Sequence, residues 1–282
     1  MSQTTTATTT TATSATAAGG GNSGPGYASH PGYRIELVPC LKRLRAAFGG
    51  ETVVDTTRAV VLRETKHVPV YYFPRDDVRF DLLEATDHRT YCPFKGEAGY
   101  WTIATGRGRS ENAVWGYGAP YDEVAELADY VAFYWDRVDH WFEEDEAVFV
   151  HARDPFTRVD ILDSSRPVRV VVGGETVAET TRARFLFETG LPVRHYIPRD
   201  DVRMDLLEAS ETETACPYKG TARYCSVRAG GQLFPDLAWS YPDPVHESAR
   251  IKDYLCFFNE RVEALYVDGA VQDKPKTKWS VD

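Results

Sequence analysis

Apolar and polar residues alternate along most of this chain in short runs that end at glycine, proline or charged turns. Val168–Val172 is a β-branched run that stops at Gly173-Gly174. The next runs are Thr176–Thr180 and Ala183–Glu188, and the latter alternates as ARFLFE. A period of two is typical of strands with one buried face. We therefore predict short strands, with hairpins where Gly-Gly or Thr-Arg separates neighbouring runs.

Proline and acidic residues mark the ends of several predicted elements. Pro74 and Pro198 each end a strand, because proline cannot donate a hydrogen bond within a sheet. The segment Asp76–Leu83 then opens with acidic residues and predicts a single helix of one or two turns. Further predictions are strands at Tyr100–Ala104 and Ala113–Tyr117, a helical turn at Glu123–Asp129, and a closing hairpin of Tyr130–Trp135 with Val138–Phe142.

The chain contains a long internal duplication. Residues 30–150 recur 124 positions later without insertion or deletion. The clearest stretch, Tyr72–Ala85, differs from Tyr196–Ala209 only at the positions of Phe73 and Phe80. A period of this length indicates two copies of one domain rather than a solenoid.

The duplication divides the chain into two domains with flanking tails. The Thr/Ala/Gly-rich residues 1–29 offer almost nothing to bury and predict a disordered tail. The first copy spans residues 30–150, the second spans 151–272, and a C-terminal tail spans 273–282. Because the strands are short and joined by tight turns, we predict two compact, mainly β, antiparallel domains with one or two short helices each.

Charge and hydrophobicity argue against two classes of partner. A formal charge of −10 does not supply the basic face that a phosphate backbone requires, so we expect no nucleic acid. No apolar stretch approaches the roughly 18 residues of a membrane span. The residues before Arg34 have neither the positive charge nor the leucine-rich core of a signal peptide, and the five cysteines are dispersed. We therefore expect a cytoplasmic protein with reduced thiols.

Comparison of the two copies limits the chemistry that both can share. None of the seven histidines recurs at the 124-residue offset, so a shared mechanism cannot use histidine as a base or metal ligand. Among the cysteines only Cys92 and Cys216 correspond, and neither has a neighbour at metal-binding spacing. We predict no metal site, and the sequence identifies no cofactor.

The shared cysteines each open a Cys-Pro-aromatic-Lys-Gly turn. If Lys95 lies near the Cys92 thiol, its charge favours the reactive thiolate, and Cys92 and Cys216 become candidate nucleophiles. The alternative is a buried cysteine that closes a strand before a tight turn, with the lysine in water. Both interpretations remain open from the sequence.

A charged segment follows the shared proline in both copies. On a continuous helix, Asp77, Asp81 and Glu84 would share one face and could hold magnesium, although capping and local ion pairs are favoured. Arg75 and its counterpart Arg199 could form a bidentate pair with a carboxylate or a phosphate.

Aromatic residues also recur in both copies. In Trp115-x-Tyr117 the two rings lie on one face of a strand, because side chains alternate. Together with Tyr72 they could form the wall of a pocket for a planar or cationic ligand, although core packing is the more frequent role of such rings.

These motifs resemble those of a bacterial family catalogued as domain of unknown function 427. The resemblance lies in Tyr-[Phe/Ile]-Pro-Arg-Asp-Asp-Val-Arg, Leu-Leu-Glu-Ala, Cys-Pro-[Phe/Tyr]-Lys-Gly and Trp-x-Tyr, and it covers nearly all of residues 34–270. It implies a compact β-rich domain of Mss4-like or β-tent type. The family also carries a nucleotidyltransferase-like label, but this chain has no Walker-type glycine loop and no Lys-x-Asp-Gly motif.

We predict that each domain binds a small anionic or planar molecule of unknown identity, with the three motifs lining one pocket. In this hypothesis arginine and lysine hold an anionic group, and the rings contact a planar or cationic part. Two alternatives remain open: a nucleotidyltransferase-like or thiol-dependent group transferase, and a structural protein without catalysis. The candidate catalytic residues are Cys92 and Cys216, and the candidate ligand-binding residues are Tyr72, Arg75, Asp77, Lys95 and Trp115 with Tyr196, Arg199, Asp201, Lys219 and Trp239.

Overall fold

The computed structural model describes residues 21–280, in which the duplicated sequence forms two copies of one two-sheet unit. The strands of the first copy are β1 (Ile35–Pro39), β2 (Leu44–Phe48), β3 (Glu51–Thr56), β4 (Val60–Glu64), β5 (Val70–Pro74), β6 (Leu83–Cys92), β7 (Gly96–Thr105), β8 (Gly108–Tyr117), β9 (Tyr130–Phe133), β10 (His140–Glu143) and β11 (Glu146–Val148). Those of the second copy are β12 (Val159–Asp163), β13 (Val168–Val172), β14 (Glu175–Thr180), β15 (Arg184–Glu188), β16 (Arg194–Pro198), β17 (Leu207–Cys216), β18 (Gly220–Ala229), β19 (Gln232–Ser240), β20 (Tyr254–Phe257), β21 (Ala264–Val267) and β22 (Ala270–Val271).

The helical segments are short. One α-helix, α1, precedes the first copy, and the others are 3₁₀ turns. They are α1 (Pro25–Ser29) and the turns Arg75–Asp77, Phe80–Leu82, Asp122–Asp129, Trp135–Arg137, Arg199–Asp201, Met204–Leu206 and His246–Ile251. Within residues 21–280, none of these helices has the length and apolar character needed to cross a bilayer.

The two copies share one antiparallel topology. The seven-stranded sheets have the orders β1-β4-β5-β9-β8-β7-β6 and β12-β15-β16-β20-β19-β18-β17. The four-stranded sheets have the orders β3-β2-β10-β11 and β14-β13-β21-β22. The predicted mainly β, tandem antiparallel fold is therefore confirmed, whereas its likeness to the Mss4-like or β-tent folds stays a prediction.

Successive side chains of β5 point to opposite faces of the sheet, and they therefore belong to two separate apolar clusters of the first domain. Tyr71 and Phe73 belong to the core cluster that also holds residues of the four-stranded sheet. Phe73 stacks on Trp141 of β10 with ring centroids 6.0 Å apart. Tyr72 belongs to a second cluster that covers the other face of the seven-stranded sheet. Burying a ring of this size contributes about 1.5–3 kcal/mol, so both faces of the sheet stabilise the domain.

Two predicted hairpins are wrong, although their strands exist. The first, across the Thr-Arg of the second copy, fails because β14 and β15 lie in different sheets. The second fails because β9 pairs with β5 and β8, whereas β10 pairs with β2 and β11. In each case the chain crosses from one sheet to the other, and both sheets face the same core. The spacing of apolar residues therefore predicts the buried face of each strand correctly, but the predicted pairing of the strands is wrong.

Two other predictions differ from the structure. Asp76–Leu83 is not one helix, because Val78 is extended between two 3₁₀ turns. Residues 1–20 of the predicted disordered tail lie outside the described residues. The tail prediction fails for α1, where Gly26 donates its backbone N–H to Pro93 at 2.9 Å. A Cβ at Gly26 would lie 2.6 Å from the ring of Phe94, so glycine permits this docking.

A buried histidine distinguishes the second domain. His195 of β16 replaces Tyr71 of the first copy and contacts the ring of Phe185 with centroids 4.5 Å apart. Its Nδ1 is buried without a hydrogen-bond partner among the described residues. Burial, with the charges of Arg166 and Arg194, lowers the pKa of His195 to about 4. The imidazole is therefore neutral in the folded domain.

This histidine predicts an acid-sensitive domain. Since the pKa is lower in the folded than in the unfolded state, the stability that His195 provides is complete above about pH 6.5 and falls as the pH drops toward 4. The free energy of unfolding of the unaltered protein should fall between pH 7.5 and 4.5, and we expect this fall to be about 2–3 kcal/mol smaller in His195→Phe. Urea unfolding of both proteins at these pH values measures the difference. If the free energy of unfolding of the variant depends on pH as that of the unaltered protein does, folding does not lower the pKa of His195.

Candidate functional site

A hollow of about 370 Å³ opens on the outer face of the seven-stranded sheet of the first domain. It brings together residues from three sequence motifs. Tyr72 lies on β5, and Trp115 and Tyr117 lie on β8. Cys92 ends β6, and Lys95 lies in the turn that leads to β7. Because side chains alternate along a strand, Trp115 and Tyr117 share this face, as their spacing predicts.

The wall of the hollow is aromatic. The rings of Trp115 and Tyr134 are 4.5 Å apart and tilted by 41°. Tyr100 stacks on Tyr134 at 6.4 Å. Trp115 is fixed by its indole Nε1, which donates a hydrogen bond to the hydroxyl of Tyr72 at 3.2 Å. These contacts hold the large π faces in defined positions, which suits a planar or cationic group.

The charged groups of the hollow form a compensated pair. Lys95 Nζ donates to Glu64 Oε2 at 2.5 Å, and each side chain is only 9% exposed. The hydroxyl of Tyr33 donates to the other carboxylate oxygen at 2.6 Å. The interpretation with this lysine in water is therefore wrong. Since the carboxylate balances the ammonium charge, Lys95 does not act as a free cation for an anionic ligand.

The hydroxyls of Tyr72, Tyr117 and Tyr134 stay protonated at neutral pH. Burial raises the pKa of Tyr72 and of Tyr117 well above the ordinary value. Burial, followed by the hydrogen bond with Tyr100, raises the pKa of Tyr134 to about 12. These groups therefore offer neutral donors and acceptors beside the aromatic faces.

Arg75 lies outside the hollow. Its guanidinium is over the rings of Trp101 and Phe80, at 5.2 and 5.7 Å, and its Nε donates to the carbonyl of Ala128 at 3.0 Å. A Cβ at Gly116 would lie 3.1 Å from Arg75 Nη2, which places the arginine on the face opposite Trp115. The counterpart Arg199 is exposed, with Nη2 3.4 Å from the hydroxyl of Ser240.

The acidic stripe that a continuous helix would have formed is absent, and the carboxylates have separate arginine partners, as the favoured alternative of local ion pairs predicts. Asp77 accepts from Arg58 and from the hydroxyl of Thr56, the latter at 2.5 Å. The second copy repeats this arrangement at Asp201. The remaining pairs are Asp81 with Arg79 and Glu84 with Arg109. Within residues 21–280, no three histidine, cysteine or acidic side chains group as metal ligands would.

The two shared cysteines have different surroundings. Cys92 is partly buried and lines the hollow. Its carbonyl accepts the backbone N–H of Lys95 at 3.3 Å, which closes the turn. Cys216 lines another cavity, of about 590 Å³, together with residues from the segment 143–150 of the first copy. The cysteines therefore do not form equivalent open sites.

In the second domain the corresponding rings contact side chains of the chain itself. Trp239 Nε1 donates to Tyr196 at 3.2 Å, and Lys219 pairs with Glu188 at 2.5 Å, as in the first copy. The guanidinium of Arg194, however, lies over three rings at 5.5–5.9 Å. These rings belong to Trp239, Phe258 and Trp279.

The C-terminal segment holds Trp279 in this position. Thr277 Oγ1 donates to Glu260 Oε1 at 2.7 Å and accepts the backbone N–H of Trp279 at 3.1 Å. Both oxygens of Glu260 also accept from Arg194 at 2.7 Å. The second copy therefore carries a resident guanidinium and a resident indole where the first has an open hollow.

Sequence reasoning missed several residues of the site. Glu64 and Glu188 recur in both copies, and this recurrence could have identified them as partners of the lysines. The exchange of Val70 for Arg194 was visible only as one divergent position among many. Trp279 gave no signal in the duplication, since it lies in the tail beyond the second copy.

Comparison with known proteins places the chain in a family without naming a reaction. A family model described as a domain of unknown function, DUF427, matches residues 36–144 and 160–268. Each matched range lies within one of the two predicted domains. No curated protein matches the chain. The family model covers more than half of the sequence. The chain therefore belongs to the DUF427 family and carries two tandem copies of its domain.

Proposed function

We propose that the first domain binds a small molecule with a planar group in its aromatic hollow. One observation carries the proposal: Tyr72, Cys92, Lys95 and Trp115, which belong to three separate recurring motifs, line the same cavity. Its volume of about 370 Å³ lies within the usual range of ligand pockets. Rings fixed by hydrogen bonds also lose little freedom when a ligand binds.

The proposal concerns the first domain alone. In the second domain Arg194 and Trp279 already contact Trp239, the counterpart of Trp115. A ligand there would have to displace a buried ion pair and an indole, which costs more than a small molecule gains. Because Glu64 neutralises Lys95, the pairing supports neither capture of an anion nor activation of the Cys92 thiol, and we do not extend the proposal to group transfer.

Three planar probes of one shape test this function: benzamide, benzoate and benzamidine. We expect at least one to bind the full chain with a Kd between about 0.1 and 1 mM, as suits so few atoms. Trp115→Leu should weaken this binding at least tenfold, because the indole forms one wall. Calorimetric titration measures the affinity.

The matched control is Trp239→Leu, which makes the same change in the second copy. It should alter the affinity less than twofold, provided that circular dichroism shows the variant to be folded. Absence of binding by all three probes, or equal effects of the two substitutions, would contradict the proposed function.

A further inference from the structure

The two copies share most of the aromatic groups around their hollows, although Tyr33 and His67 of the first copy are replaced by Thr157 and Leu191 in the second. Rings 4.5 Å apart recur, with Trp115 and Tyr134 in the first copy and Trp239 and Phe258 in the second. The tilt between them is 41° in one and 47° in the other. The buried lysine–glutamate pair also recurs. We call each ring pair an aromatic box: Trp115 with Tyr134 is the first box, and Trp239 with Phe258 is the second. The second box therefore shows which kind of group such a ring pair accepts.

What the second copy holds in its box is a planar cation. Arg194 lies over the rings of Trp239 and Phe258, at 5.5 and 5.9 Å, within the range of a cation–π contact. Its position matches that of Val70, since Arg194 pairs with Leu186 as Val70 pairs with Leu62. Valine supplies no charge, so among the described residues no side-chain cation lies over Trp115, whereas Arg194 lies over its counterpart Trp239.

The positive groups near the first box do not forbid a cation. Arg137 lies over the ring of Tyr134 at 4.8 Å, and its counterpart Arg261 lies over Phe258 at 5.2 Å. The second box therefore holds Arg194 in the presence of an equivalent arginine and of the same lysine–glutamate pair. The sequence counterpart of Glu260 is Asp136, which is exposed and does not line the first hollow, so the π faces and not a buried carboxylate would hold a cation there.

We infer that the ligand of the first domain is a small planar organic cation, of the amidinium or guanidinium class, bound against Trp115 and Tyr134. The inference rests on the proposed function and names the class of ligand for the same hollow. In the second domain, Arg194 takes the place of this ligand within the chain itself. Only one of the two copies then binds a ligand.

Benzamidine, benzamide and benzoate separate the inference from the function on which it rests. They have nearly the same shape and differ in charge, so we expect benzamidine to bind at least tenfold more tightly than benzamide, and benzoate to bind least. If benzamide or benzoate binds as tightly as benzamidine, the inference is overturned while the proposed function stands. If none of them binds, both are overturned.

A substitution that copies the second domain gives an independent test. Val70→Arg supplies the first box with its own guanidinium, and we expect it to weaken benzamidine binding at least tenfold. Val70→Met is the matched control, similar in length but uncharged, and should weaken it less than threefold. Equal affinities of the two variants would overturn the inference. If Val70→Arg does not fold, the ranking of the three probes on the unaltered chain decides.

Discussion

Arg194→Met is expected to lower the free energy of unfolding of the second domain by about 3–5 kcal/mol, because it leaves a buried carboxylate without its partner. The side chain of Glu260 is 0% exposed, and both of its oxygens accept from Arg194 at 2.7 Å. Once the arginine is gone, burial favours the protonated acid, so the loss should shrink below pH 5. Urea unfolding at pH 7.5 and 4.5 measures both effects.

Two further variants control this experiment. In Arg194→Met/Glu260→Met neither charge remains, and we expect recovery of most of the lost stability. In Arg158→Met the broken pair with Asp160 is largely exposed, so the cost should stay below about 1 kcal/mol. A cost of that small size for Arg194→Met would show that the guanidinium is solvated rather than enclosed by the rings.

The second large effect is expected at the ion pair of the first hollow. Lys95→Met should destabilise the first domain by about 3 kcal/mol, because Glu64 is then buried without a counter-charge. Lys95→Met/Glu64→Gln should recover part of this loss, since the amide oxygen can still accept from Tyr33. Thermal or urea unfolding followed by circular dichroism measures these changes.

The second copy offers a matched comparison for this pair. Lys219→Met breaks the equivalent contact with Glu188, so its cost should be similar but confined to the second domain. A cost below 1 kcal/mol for Lys95→Met would instead indicate a lysine in water, and the charge balance assigned to the hollow would be wrong.

Much of the fold could be predicted from the sequence, because strand periodicity reports which residues share a face. The spacing of Trp115 and Tyr117 placed both rings on one side of β8. Periodicity does not report which sheet a strand joins. The hairpins predicted for β14 with β15 and for β9 with β10 failed for this reason, since both layers bury apolar residues in a common core.

The site was harder to predict, because sequence neighbours can lie on different faces of the molecule. Closeness to Tyr72 in the sequence predicts that Arg75 and Asp77 line the same pocket. The chain leaves β5 at Pro74, however, and enters a 3₁₀ turn, which carries both residues away from the hollow. Trp279 was missed for another reason: it reaches its site from the C-terminal tail, outside the repeat.

The number of benzamidine molecules bound per chain tests the central claim most directly. We predict one site in the unaltered protein, lost in Val70→Arg and retained in Trp239→Leu, because the first box is open and Arg194 fills the second. Calorimetric titration gives this number together with the affinity. Two equivalent sites per chain, or a single site that Trp239→Leu abolishes and Trp115→Leu leaves intact, would contradict the account.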